Sequence, residues 1–161
     1  MKKRFWIAFV LTAAAGTAMH FVYPLCPSPL VGLFAPVNES VWEHLKLLFW
    51  PFLAASFALT RRSEVPMAAW SGFLSAQIGM PLFLTGSYYL LRAGFALESP
   101  VLDIGLYLLA LGGGFAFAGR VWRGGRIAYL AGVLVIAVGL YGAALILFTL
   151  APPELPIFLA P

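Results

Sequence analysis

Eleven consecutive residues, Pro36-Val37-Asn38-Glu39-Ser40-Val41-Trp42-Glu43-His44-Leu45-Lys46, hold the densest group of ionisable and hydrogen-bonding side chains in the chain. Asn38, Glu39, Ser40, Glu43, His44 and Lys46 are ligand-binding candidates, with His20 and Asp103 as candidates to join them from elsewhere. Glu43 and His44 are the candidate general bases, because both titrate and burial can bring such groups towards neutral pH. No nucleophile–base–orienter set can be read, so the catalytic role and reaction class stay open. His20, Glu39, Glu43 and His44 are the metal-ligating candidates by type. Their spacing gives no support: there is no HExxH, ExxH or HxxxH pattern. Cofactor identity is therefore unassigned.

A helix must begin near these residues. Ser40-Val41-Trp42-Glu43 matches a capping box, in which Ser and Glu each satisfy a free backbone N–H of the first turn. Asn38 is the alternative cap, and acids in a first turn suit the helix dipole. A helical projection puts Glu39, Glu43 and Lys46 on one face, within about 60°. Two acids one turn apart repel unless a cation or proton neutralises them. Lys46 is the local counter-charge, unless it snorkels out of the bundle.

The elements that position this segment are set by apolarity. Of 161 residues, 62% are hydrophobic and 10% charged, too few charges to clothe a water-exposed globule. Five stretches approach the roughly 20 apolar residues that a span requires: about 5–25, 42–59, 65–91, 101–119 and 127–150. The reading is an all-α integral membrane bundle of about five transmembrane helices, one domain over 1–161. An apolar Pro/Gly-rich loop precedes Pro36, and its own depth is open. Pro81 predicts a kink in the third span. Basic clusters at Lys2-Lys3-Arg4, Arg61-Arg62 and Arg120/Arg123/Arg126 then share one side, leaving Lys46 and Arg92 elsewhere. The positive-inside rule makes that side cytoplasmic, with the N-terminus inside and the C-terminus outside a cell membrane. Glu39, Glu43, Glu98, Asp103, Glu154 and both histidines then fall toward the outer face. Gly16-Thr17-Ala18 could end a signal peptide, but the apolar run continues to Leu25 and suits an uncleaved span.

His20 sits at about the depth of the second span's start, so it can meet Glu39, Glu43 or His44. Gly72, Gly79 and Gly86, Gly112–Gly114 with Ala116, and Gly132, Gly139 and Gly142 predict close helix contacts. Gln77, in mid-span, is expected to bond a neighbouring helix. Tyr23, Trp42, Tyr88 and Tyr89 read as boundary anchors. Cys26, the single cysteine, reads as an apolar filler. The net charge of +4 comes from topology clusters, so no nucleic-acid partner is expected.

The stretch Pro36–Leu47, PVNESVWEHLKL, resembles the signature of a family of small uncharacterised bacterial polytopic membrane proteins, a domain of unknown function. His20-Phe21-Val22-Tyr23 and Phe148–Phe158 resemble it too, so the likeness spans the chain. It implies a bacterial multi-pass membrane protein and brings no activity, cofactor or catalytic residue.

Three functions compete. The first is an outer-face site for a small polar ligand, metal ion or lipid headgroup. The second is a small oligomeric transporter or channel, disfavoured by the lack of mid-depth charge and of an internal repeat. The third is a non-catalytic accessory subunit that docks a membrane partner through Asn38–Lys46. The lipid bilayer is the partner common to all three.

Overall fold

The computed structural model describes residues 2–61, 63–125 and 127–160. Arg62 and Arg126, counted above among the basic flanks, lie outside the described residues. The described chain is all-helical. Five long helices, α1 (Lys2–His20), α4 (Val41–Thr60), α5 (Pro66–Tyr89), α6 (Pro100–Gly124) and α7 (Ala131–Leu150), form the bundle. Two one-turn helices, α2 (Val22–Leu25) and α3 (Pro29–Gly32), occupy the loop between α1 and α4. A π-helical turn (Leu90–Gly94) extends α5, and 3-10 turns precede α7 (Ala128–Leu130) and close the chain (Pro156–Phe158).

Among the described residues, three helices are long and apolar enough to cross a membrane: Pro66–Gly94, Pro100–Gly124 and Ala128–Leu150. The other two long helices have span length without the same apolarity. α1 opens on basic residues and has a centre of small residues, and α4 opens on Glu43, His44 and Lys46.

Sequence-adjacent long helices run antiparallel, and α1 also packs parallel to α5. Phe5, at the start of α1, packs on Phe73 near the start of α5 and on Trp122 near the end of α6. Phe52, Phe73 and Phe115 stack tilted or edge-on at the centre of one core, with ring centroids 4.9–6.1 Å apart. Phe49, Leu45, Leu74, Val138 and Leu145 form a second core between α4, α5 and α7. Ser56 and Thr60, both buried, donate to the carbonyls four residues back (2.6 and 2.7 Å), so these two hydroxyls are satisfied within α4. Gln77 donates from α5 to the Phe49 carbonyl of α4 at 2.9 Å, the interhelical bond its mid-span position predicted.

The glycines divide into two groups. A Cβ on Gly72 would stand 2.8 Å from the Ala118 carbonyl oxygen, and one on Gly142 2.8 Å from the Phe49 ring. Gly114 lies directly against Met80. Gly79, Gly86, Gly113, Gly132 and Gly139 have nothing within 4 Å of such a Cβ, so only Gly72 of the α5 heptad series makes a close crossing.

Gly16 sets the path of α1. A Cβ there would lie 2.6 Å from the Leu47 carbonyl oxygen of α4 and would strike the Tyr107 hydroxyl. Pro51, inside α4, has no N–H to offer Leu47 four residues earlier, which leaves that carbonyl for its neighbours. Residues one turn apart share a helix face, so Thr12, Gly16 and His20 lie in one row. The contact that brings Gly16 onto α4 therefore turns His20 toward the start of α4.

Candidate functional site

At one end of the bundle the end of α1, the start of α4 and the end of α7 meet. Ser40 is the N-cap of α4, its Oγ accepting from the Glu43 N–H at 3.3 Å. Asn38 Oδ1 accepts from the Ser40 N–H at 2.9 Å, closing an Asx turn just before the cap. Half of the anticipated capping box is therefore made. The other half is not, because Asn38 takes the N–H that a box would assign to Glu43.

Released from the cap, the Glu43 side chain turns inward and is 3% exposed. Its Oε2 accepts from Lys46 Nζ at 2.7 Å and from the Val37 N–H at 2.9 Å. Its Oε1 lies 2.8 Å from the Thr149 hydroxyl of α7. That hydroxyl also lies 2.8 Å from the Leu145 carbonyl oxygen, so its single proton faces two acceptors. Lys46 is fully buried rather than snorkelling. Its ammonium donates to Glu43, to the Gly32 carbonyl at 2.7 Å and to the Ala35 carbonyl at 3.4 Å. Three donors thus meet three acceptors, as a buried ammonium requires. The apolar loop folds back over Lys46, with Gly32 tucked against Val37 and Tyr23 and with Phe34 on Trp50.

Glu39 goes the opposite way. α4 begins at Val41, so the helical projection does not apply to Glu39, which lies in the turn before the cap. Its carboxylate reaches both imidazoles: Oε2 is 3.4 Å from His44 Nε2, and Oε1 is 3.9 Å from His20 Nε2. The two rings are 5.2 Å apart between centroids and tilted by 38°. One ligand-capable atom from each of His20, Glu39 and His44 falls within 4.8 Å of the others. The histidine side chains are about one-third exposed and Glu39 about two-thirds, so the cluster is open to solvent at the rim.

Nδ1 of His44 lies 2.8 Å from the Ser40 carbonyl oxygen, which can only accept, so Nδ1 carries a proton and the ring is held with Nε2 facing Glu39. In the neutral ring Nε2 presents a lone pair there; in the imidazolium it donates to the carboxylate.

Asp103 does not join this cluster. It pairs with Arg92 at 3.2 Å, and the Arg92 guanidinium covers the Tyr88 ring at 4.3 Å. Trp42 packs among Tyr141, Phe148 and Phe158, so it holds the 3-10 turn Pro156–Phe158 onto α4 and α7. Cys26 is exposed at the C-cap of α2, where a buried filler had been anticipated. Thr149 and the carbonyls of Gly32 and Ala35 were missed from the sequence. Backbone acceptors carry no sequence signal, and Thr149 drew notice only within the resembling segment Phe148–Phe158.

Fold and site together define an all-helical protein with apolar helices of membrane-crossing length and a polar cluster where α1, α4 and α7 meet. The chain belongs to a family described as "Family of unknown function (DUF6512)", whose model matches residues 1–160. No curated protein and no solved structure matches it.

Proposed function

We propose that this chain is a five-span integral protein of a bacterial cytoplasmic membrane, and that its outer rim binds a small positively charged ligand between His20, Glu39 and His44. The five long helices supply the spans. Those that fall short in apolarity do so because α1 carries the cytoplasmic basic flank and α4 carries the rim. Leu109, Val133, Ile136 and Leu140 stand more than 60% exposed on α6 and α7, which suits contact with lipid. The N-terminus is inside, and His20, Glu39 and His44 face outward.

Glu43, Lys46 and Thr149 form the foundation beneath this site. The Glu43 carboxylate is turned inward onto Lys46, Val37 and Thr149, away from the rim. The observation that carries the reading is the convergence of one carboxylate and two imidazoles, with a ligand-capable atom from each within 4.8 Å of the others, at a solvent-open rim.

The test is thermal unfolding of the purified, untagged chain with Zn²⁺, Mg²⁺, ethanolamine or choline, compared with Glu39→Gln. At least one of these should raise the melting temperature of the wild type and leave the variant unmoved. Equal responses of the two proteins to all four would overturn the reading.

A further inference from the structure

We propose that His20, Glu39 and His44 form a binding site for a divalent transition metal of the zinc class, with a coordination position left open toward the outer solution. The proposal rests on the rim-site reading above and names its occupant.

The ligand set is the first argument. Two imidazoles and one carboxylate are borderline-to-hard donors that suit zinc, and three protein ligands leave a fourth tetrahedral position for water or a small ligand. Calcium or magnesium would call for more oxygen donors than one carboxylate supplies.

Distance is the second. Metal–ligand bonds of about 2.0–2.1 Å at a tetrahedral angle place neighbouring ligand atoms about 3.3–3.4 Å apart. His44 Nε2 and Glu39 Oε2 are already 3.4 Å apart. His20 Nε2 is 3.9 Å from the other carboxylate oxygen, and the three ligand atoms lie within 4.8 Å of one another, so rotations of the Glu39 carboxylate and the His20 ring that shift these atoms by about 1 Å close the set to tetrahedral spacing.

Orientation is the third. A metal-bound histidine characteristically donates its second N–H to a carbonyl or carboxylate, which fixes the ring and its tautomer. The Ser40 carbonyl holds His44 in this way at 2.8 Å. The backbone around Glu39 is clamped on both sides. Asn38 accepts from Ser40 N–H, Ser40 caps α4, and Val37 N–H is bound by buried Glu43. His20 comes from another helix, aimed by the Gly16–Leu47 contact. His20 from α1 and the Glu39 and His44 side chains set around the α4 cap converge on one point.

The site binds and positions; the chemistry at its open position is set by what occupies it. A bound zinc there would polarise a water or a carbonyl, and the solvent-facing rim gives access to one.

The experiment is zinc titration of the untagged, detergent-purified full chain by calorimetry, after chelator treatment, with X-ray absorption at the zinc edge on the loaded sample. The expected result is one zinc per chain, with two imidazole nitrogens among three or four N/O neighbours at about 2.0–2.1 Å. Glu39→Gln and His44→Ala should each weaken binding at least tenfold while the helical circular dichroism spectrum is unchanged. Lys3→Gln, far from the rim, should leave binding unaltered. Stoichiometric zinc that persists in both rim variants, or no zinc binding by the wild type, would overturn the metal assignment. If zinc fails while ethanolamine or choline still distinguishes wild type from Glu39→Gln, the rim-site reading stands and only its metal occupant falls. If all probes fail, both fall.

Discussion

The Thr149 hydroxyl, on the last turn of α7, lies 2.8 Å from Glu43 Oε1 on the first turn of α4, a contact spanning 106 residues of sequence. It ties the far end of the chain to the buried Glu43–Lys46 pair, and through that pair to the loop that carries Glu39. The two acids stand four residues apart, yet Glu43 is buried against Lys46 while Glu39 faces the two imidazoles at the rim.

Removing one member of a buried ion pair leaves the other uncompensated and costs about 3–5 kcal/mol. Lys46→Met should therefore lower the stability of the folded bundle by that order, measured by denaturant titration in detergent. Adding Glu43→Gln to Lys46→Met should restore a large part of the loss. A double variant as unstable as the sum of the singles would show that the two side chains do not interact.

Thr149→Val keeps shape and removes a hydrogen bond to a charged group, which costs about 1.5–3 kcal/mol. The same substitution in a Glu43→Gln background should cost less, since its partner has lost its charge. A double-mutant cycle reads the coupling directly, and additivity would contradict the contact.

Gly16 and Gly79 make a matched pair of tests. Gly16→Val drives a side chain into the Leu47 carbonyl and Tyr107, so it should cost at least about 1–3 kcal/mol and displace His20. Zinc affinity should fall with it. Gly79→Ala meets open space and should change stability by less than about 0.5 kcal/mol.

Cys26 gives a topology test without engineering. It is the single cysteine of the chain and is exposed in the loop between α1 and α4. A membrane-impermeant maleimide added to intact cells should label it. A cysteine placed at Ser63 in a Cys26→Ser background should label only after the membrane is opened. The reverse pattern would invert the orientation.

Much of the architecture was legible because apolar runs and charge clusters are one-dimensional signals. The five long helices follow the five apolar stretches to within a few residues at most ends. The first stretch overran, because the helix breaks at Phe21 before the loop begins. The start of α4 was legible from Ser40, because a cap is a local bond between near neighbours. What failed was the extension of helical geometry to Glu39. Asn38 takes the Ser40 N–H in a turn, so α4 begins only at Val41, past Glu39, and the two acids go in opposite directions. Glycine spacing also misled: periodicity reports which residues share a face, and at Gly79 and Gly86 nothing lies within 4 Å of an added Cβ, Gly79 opening instead onto a cavity shared with α6. The Lys46 cradle was illegible for a different reason, since its acceptors are backbone carbonyls of Gly32 and Ala35, fixed by the path of the loop.

The most direct measurement is an anomalous difference map at the zinc edge from crystals of the full chain grown with zinc. The account predicts one peak at the rim, about 2.0–2.1 Å from His20 Nε2, His44 Nε2 and a Glu39 oxygen, with Glu43 still bound to Lys46 below it. A map with no peak between the two imidazoles, or one with Glu43 rather than Glu39 at the ion, would contradict it.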